Sequence, residues 1–144
     1  MSKEKRIGAV IVSHGDVARE LVAACKAVVG DLDHIRAVSI DWNVDVETAQ
    51  EQISKAIEEV SDGSGVILLT DMFGGTPTNI SAMFLDKADV EIVTGVNLPM
   101  VIKVASANSD LPLLEFAKEV EDQGKESICR ASTLLGPQKM KKDA

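Results

Sequence analysis

Ile7-Gly-Ala-Val-Ile-Val12, broken off by Ser13-His14-Gly15-Asp16, decides how the rest of the chain is read. The run is short, continuously apolar and largely β-branched, the pattern of a strand buried on both faces as in parallel sheets. Asp16 then supplies a cap for a helix running to about Val29, and Gly30 stops it. The same alternation recurs outward from this unit. His34–Ile40 reads as a second strand, and Asp45 opens a helix closed by Asp62-Gly63. Val66-Ile-Leu-Leu69 is a third, doubly buried strand ending at Thr70-Asp71. Beyond Met72-Phe-Gly-Gly-Thr-Pro-Thr-Asn79, the Thr76-Pro77 pair suits N-cap and first helical position of a helix to about Leu85. Val90–Val93 is a fourth strand, helices near Leu98–Ala107 and Leu111–Gln123 follow, and Glu126–Arg130 reads as a short final strand.

Strands alternating with helices imply an α/β fold: an open, mostly parallel sheet with helices on both faces. Right-handed crossovers put the strand order near 2-1-3-4, with strands 1 and 3 adjacent where the order reverses. No repeat or linker divides the chain, so residues 1–135 read as one domain. Residues 136–144, Gly136-Pro137 and a basic end without apolar periodicity, read as a flexible tail.

Composition narrows the function. Of 144 residues, 45% are hydrophobic and 26% charged, the balance of an ordinary globular domain. A net charge of −8, one Trp, three Phe and no Tyr argue against a nucleic-acid surface, which needs positive charge and stacking rings. An acidic surface suits a partner with a basic docking face. Cys25 and Cys129 lie far apart without a CxxC companion and read as reduced thiols. No apolar stretch reaches the roughly 18 residues of a membrane span, and no cleavage site follows the first apolar run, so the expected location is cytoplasmic.

Parallel strands deliver their C-terminal loops to one edge, and ligands of such sheets bind there, at the reversal point. That edge receives Ser13-His14-Gly15, Thr70-Asp71 with the glycine loop, and Thr94-Gly-Val-Asn97. With neighbouring strands about 4.8 Å apart, His14 and Asp71 come within reach of each other. A carboxylate on one imidazole nitrogen fixes the tautomer and leaves the other nitrogen a free lone pair, a nucleophile. Gly74-Gly75 lets backbone N–H groups face an anion, the helix beyond adds its positive end, and Thr76 and Ser13 offer hydroxyls. Taken singly, these residues have plainer readings: a structural histidine, a capping aspartate, a tight turn. Their convergence favours a phosphate-handling site with no metal and no cofactor. The chain lacks GxxxxGK[ST], GxGxxG and GxSxG, zinc-ligand spacing, and the paired acids of a phospho-aspartate receiver.

Three segments, Ala9-Val-Ile-Val-Ser-His-Gly15, Leu69-Thr-Asp-Met-Phe-Gly-Gly-Thr-Pro-Thr-Asn79 and Val93-Thr-Gly-Val-Asn-Leu-Pro-Met100, carry a resemblance over roughly residues 6–130. The chain resembles the enzyme IIA component of the mannose family of the bacterial phosphoenolpyruvate-dependent sugar phosphotransferase system. The resemblance implies that His14 takes phosphate from the phosphohistidine of the small phosphocarrier protein and passes it to a IIB partner. It implies that Asp71 orients His14 and that Thr76 is the hydroxyl residue beside it. It further implies a homodimer that exchanges a C-terminal strand, here Glu126-Ser-Ile-Cys-Arg130. Any IIB domain is expected on a separate protein, through which a membrane IIC/IID complex would be reached.

The loop Asp41-Trp42-Asn43-Val44-Asp45 lacks the Pro-Gly of some relatives. Trp42 reads first as a packing residue and second as a shaper of partner docking. Two roles share the His14 site: phosphoryl relay in sugar uptake, or a regulatory module whose phosphorylation state other proteins read. A phosphocarrier subunit of dihydroxyacetone kinase is a more distant alternative, since such relatives lack the Phe-Gly-Gly-Thr-Pro-Thr-Asn run.

Overall fold

The apolar run that opens the chain forms β1 (Gly8–His14), in which all but the last residue are buried. In the computed structural model, which describes residues 6–87, 89–106 and 110–136, β1 lies at the centre of a four-stranded parallel sheet. It is flanked by β2 (Ile35–Ile40) and β3 (Val66–Thr70), and β4 (Val90–Thr94) completes the order β2-β1-β3-β4. The register is continuous: Ala9 sits opposite Ile35 and Ile67, Val12 opposite Val38 and Thr70. This is the expected order, reversing between β1 and β3.

Because successive side chains point to opposite faces, the central strands feed two cores at once. Ala9, Ile11, Ile67 and Leu69 pack with α1 (Val17–Val29), α4 (Leu98–Ser106) and α5 (Leu113–Glu126) through Val22, Cys25, Val101, Val104 and Phe116. Val10, Val12 and Leu68 pack with α2 (Val46–Val60) and α3 (Gly75–Ala82) through Ala49, Ile53 and Ile80. Each buried aliphatic side chain contributes about 1.5–3 kcal/mol, so the doubly covered strands anchor the loops at their ends. Gly8 shows how tight the approach is: a Cβ there would collide with the backbone carbonyl of Val60 at the end of α2.

Three expectations change. The helix after the glycine loop begins at Gly75, not at Pro77, and ends at Ala82, not Leu85. Gly74, at φ 85°, turns the chain early enough that Pro77 falls third in the helix, where a missing N–H costs nothing. Glu126–Arg130 is not a strand: α5 runs through Glu126, residues 128–130 are irregular and 131–136 are helical. A strand needs a ladder partner, and no described segment of the chain pairs with the outer side of β4. The expected tail falls, beyond residue 136, outside the described residues. Among the described residues, no helix is long and apolar enough to cross a membrane.

Candidate functional site

His14 is the last residue of β1 and the first exposed one, with its side chain 48% accessible. Asp71 follows β3 directly, and its Oδ2 accepts two hydrogen bonds from the same neighbour. The His14 backbone N–H lies 2.9 Å away and the imidazole Nδ1 2.8 Å away. A carboxylate only accepts, so the network assigns the ring proton to Nδ1 and leaves Nε2 with a bare lone pair. The double grip fixes both the strand end and the ring. Asp71 Oδ1 is buried and has no hydrogen-bond partner among the described residues.

The other side of the ring faces the glycine loop. A Cβ built on Gly75 would lie 3.1 Å from His14 Cε1 and 3.2 Å from Nε2, and Gly75 has φ 79°. Only glycine meets both demands without strain. Gly75 and Thr76 open α3, and no side chain caps that end. The first amides of a helix precede its first internal hydrogen bond, so the N–H groups of Gly75 and Thr76 and the positive end of α3 belong to the helix end that lies against the His14 ring. Thr76 is exposed.

The loop is held from beneath by a residue that sequence reasoning missed. Thr78 Oγ1, buried, donates to the Met72 carbonyl at 2.6 Å and lies 2.8 Å from Thr70 Oγ1. Its signal was faint: a second threonine two residues past Thr76, distinguishable only once α3 is known to start at Gly75.

Ser13 is placed differently from the hydroxyl donor expected of it. It is fully buried on the other face of β1, where Oγ accepts from the Ala18 N–H at 2.7 Å and lies 3.4 Å from the Gly15 carbonyl. That geometry gives Ser13 Oγ to an amide in the first turn of α1 and turns its side chain into the fold; Asp16, the expected cap, makes no side-chain cap bond. Asn97 likewise turns to structure, its Oδ1 accepting from the Met100 N–H at 3.2 Å at the start of α4. His34 is buried with Nε2 3.3 Å from the Val104 carbonyl, far from the loops at the carboxyl edge. Trp42 is not a packing residue: it is 100% exposed.

Comparison with known proteins places this arrangement. The model of the EIIA-man family, described as the PTS system fructose IIA component, matches residues 8–121. The chain belongs to this family. It is 28% identical over 123 residues to the PTS system fructose-specific EIIA component of Bacillus subtilis (strain 168), covering 85% of this chain and 84% of that protein. It is 27% identical over 124 residues to the PTS system mannose-specific EIIAB component of Escherichia coli (strain K12), covering 85% of this chain but only 38% of that longer protein. A PTS IIA protein associated with the fucose utilization operon of Streptococcus pneumoniae superposes with a TM-score of 0.80 at 25% identity, covering 93% of this chain and 99% of that one. The mannose/sorbose specific IIA subunit of the phosphotransferase system of Enterococcus faecalis shares the fold, with a TM-score of 0.79 at 24% identity over 88% of this chain and 95% of that one. The family match spans β1 through most of α5, and so includes His14, Asp71 and the glycine loop.

Proposed function

We propose that His14 Nε2 takes a phosphoryl group from the phosphohistidine of the small phosphocarrier protein and hands it to a separate IIB component during sugar uptake. The observation that carries this reading is the pairing of Nδ1 with Asp71 at 2.8 Å, which leaves Nε2 free beside an uncapped helix end. In the first transfer the Nε2 lone pair forms the new N–P bond as the donor's N–P bond breaks, and the donor imidazole keeps the released electron pair. Nδ1 retains its proton, and Asp71 stabilises the positive ring. The equatorial phosphoryl oxygens meet the Gly75 and Thr76 amides and the Thr76 hydroxyl. Exchange between two phosphohistidines is nearly balanced in energy, so positioning and charge stabilisation are the whole task. The relay acts in the cytoplasm.

A homodimer is part of the same reading. The outer side of β4 has no strand partner among the described residues, and a cavity of about 450 Å³ lies there, lined by Ile92, Val93, Asn97, Gly124 and Ile128. Ile128, Leu134 and Leu135 are exposed on the segment beside it, apolar surface that a second copy would cover.

The test reconstitutes the relay from phosphoenolpyruvate, enzyme I and the phosphocarrier. His14→Ala should take up no phosphate and His34→Ala should label as the unaltered protein does. Acid-stable label, or label that survives loss of His14, would overturn the assignment.

A further inference from the structure

The lone tryptophan lies at the proposed phosphoryl-transfer edge and is fully exposed. Trp42 stands two residues past the end of β2, and β2 ends level with His14: Ile40 is its register partner and the Ile40 carbonyl accepts from the Gly15 N–H at 3.2 Å. The turn that presents it is secured. The Val44 N–H bonds the Asp41 carbonyl at 3.2 Å, Val44 packs on the α2-side core, and Asp45 Oδ1 accepts from the Thr48 N–H at 2.7 Å. A fixed turn holding a fully exposed indole leaves its apolar burial unrealised, and tryptophan is among the side chains enriched at binding hot spots.

The surroundings say what would bury it. Asp16 and Glu20 begin α1, Asp41 follows β2, and Asp45 and Glu47 begin α2, all at the same edge and all exposed. Arg19 offsets Asp16 alone, at 3.2 Å. Met72 and Phe73, 53% and 83% exposed, add apolar surface across His14 from Trp42. A free phosphoryl donor, itself an anion, is repelled by these carboxylates. A protein whose phosphohistidine sits in a basic face with an apolar centre is drawn in.

We infer that Trp42, on an edge that also carries Asp41 and Glu47, is the docking anchor for the phosphohistidine-bearing donor protein and sets the preference for a protein donor over a free one. The inference rests on the proposed phosphoryl transfer to His14. Trp42 acts before chemistry, so its effect falls on donor binding and not on the bond exchange.

The test follows labelling of His14 from two donors, the phosphorylated phosphocarrier and phosphoramidate, which needs no docking face. Trp42→Ala should raise the KM for the phosphocarrier about tenfold or more with kcat unchanged, and Trp42→Phe should restore most of the loss. Asp41→Asn with Glu47→Gln should raise that KM about threefold and flatten its salt dependence. Phosphoramidate labelling should be unchanged in both Trp42 variants and should not fall in the charge variant. As the chain has one Trp and no Tyr, its emission reports this side chain alone and should shift to shorter wavelength, saturably, as unphosphorylated phosphocarrier is added. An unchanged KM, a fall in kcat, equal loss with both donors, or unmoved emission would overturn the anchor while leaving phosphoryl transfer standing. Absence of His14 label from either donor in the unaltered protein would overturn both readings.

Discussion

Four strands run into four helices at one edge of the sheet, and the junctions are not built alike. At β1–α1 Ser13 Oγ takes the Ala18 amide, at β2–α2 Asp45 takes that of Thr48, and at β4–α4 Asn97 takes that of Met100. Each closes a helix end with the chain's own oxygen. At β3–α3 the N-cap is Gly74, which has no side chain, and Gly75 beyond it lies against the His14 ring. A helix end that gains about 1 kcal/mol from a cap has been left without one beside the single exposed histidine of the edge. The contrast separates the junctions: three ends are sealed by the chain's own oxygens, and the one left open is where the proposed phosphoryl group would sit.

Breaking the open junction should have the largest effects. Asp71→Asn keeps an acceptor near Nδ1 but removes the charge that supports the phosphorylated ring. We expect about a 100-fold slower transfer from the phosphocarrier with the fold unchanged by circular dichroism, in the range of a lost acid–base or orienting group. Full activity would remove Asp71 from the mechanism. Gly75→Ala forces a Cβ to within 3.2 Å of Nε2 at φ 79°. Transfer should drop about tenfold while the loop strain costs about 1–2 kcal/mol in denaturant unfolding; a variant that only loses stability would deny the close approach any role.

The sealed junctions should answer in the opposite sense. Ser13→Ala should cost about 1 kcal/mol of stability and leave phosphoryl transfer within twofold. A selective loss of transfer would return Ser13 to the phosphate. The smallest effect concerns pH at Asp45, whose carboxyl is held below its ordinary value by the backbone amide of Thr48 and is fully exposed. Its contribution is present above the unfolded value, about pH 4, and fades as pH falls through the lower folded value. Asp45→Asn should therefore flatten the acid limb of the stability curve below about pH 4, with little change at pH 7.

The same contrast explains what the chain's sequence could reveal. Strand order and the pairing of His14 with Asp71 were legible because doubly buried runs such as Val66-Ile-Leu-Leu69 are local signals and crossover handedness supplies the rest. The start of α3 was not, because Thr76-Pro77 satisfies a local capping rule that the backbone turn at Gly74 overrides. Ser13 turns away from His14 for a geometric reason: adjacent residues of a strand face opposite ways, and the Ser13 side chain points to the α1 side. For Trp42 the residue type alone argues for packing, whereas its exposure depends on a turn fixed by Asp41 and Val44. Glu126–Arg130 carries strand-like residues without a strand partner among the described residues.

The account turns on one nitrogen. Nitrogen-15 and phosphorus-31 NMR of the phosphorylated protein, with labelled histidine, distinguishes the two ring positions directly. We predict a single phosphohistidine at His14 bearing phosphorus on Nε2, with Nδ1 protonated and hydrogen-bonded to Asp71. Phosphorus on Nδ1, or on any other residue, would contradict it.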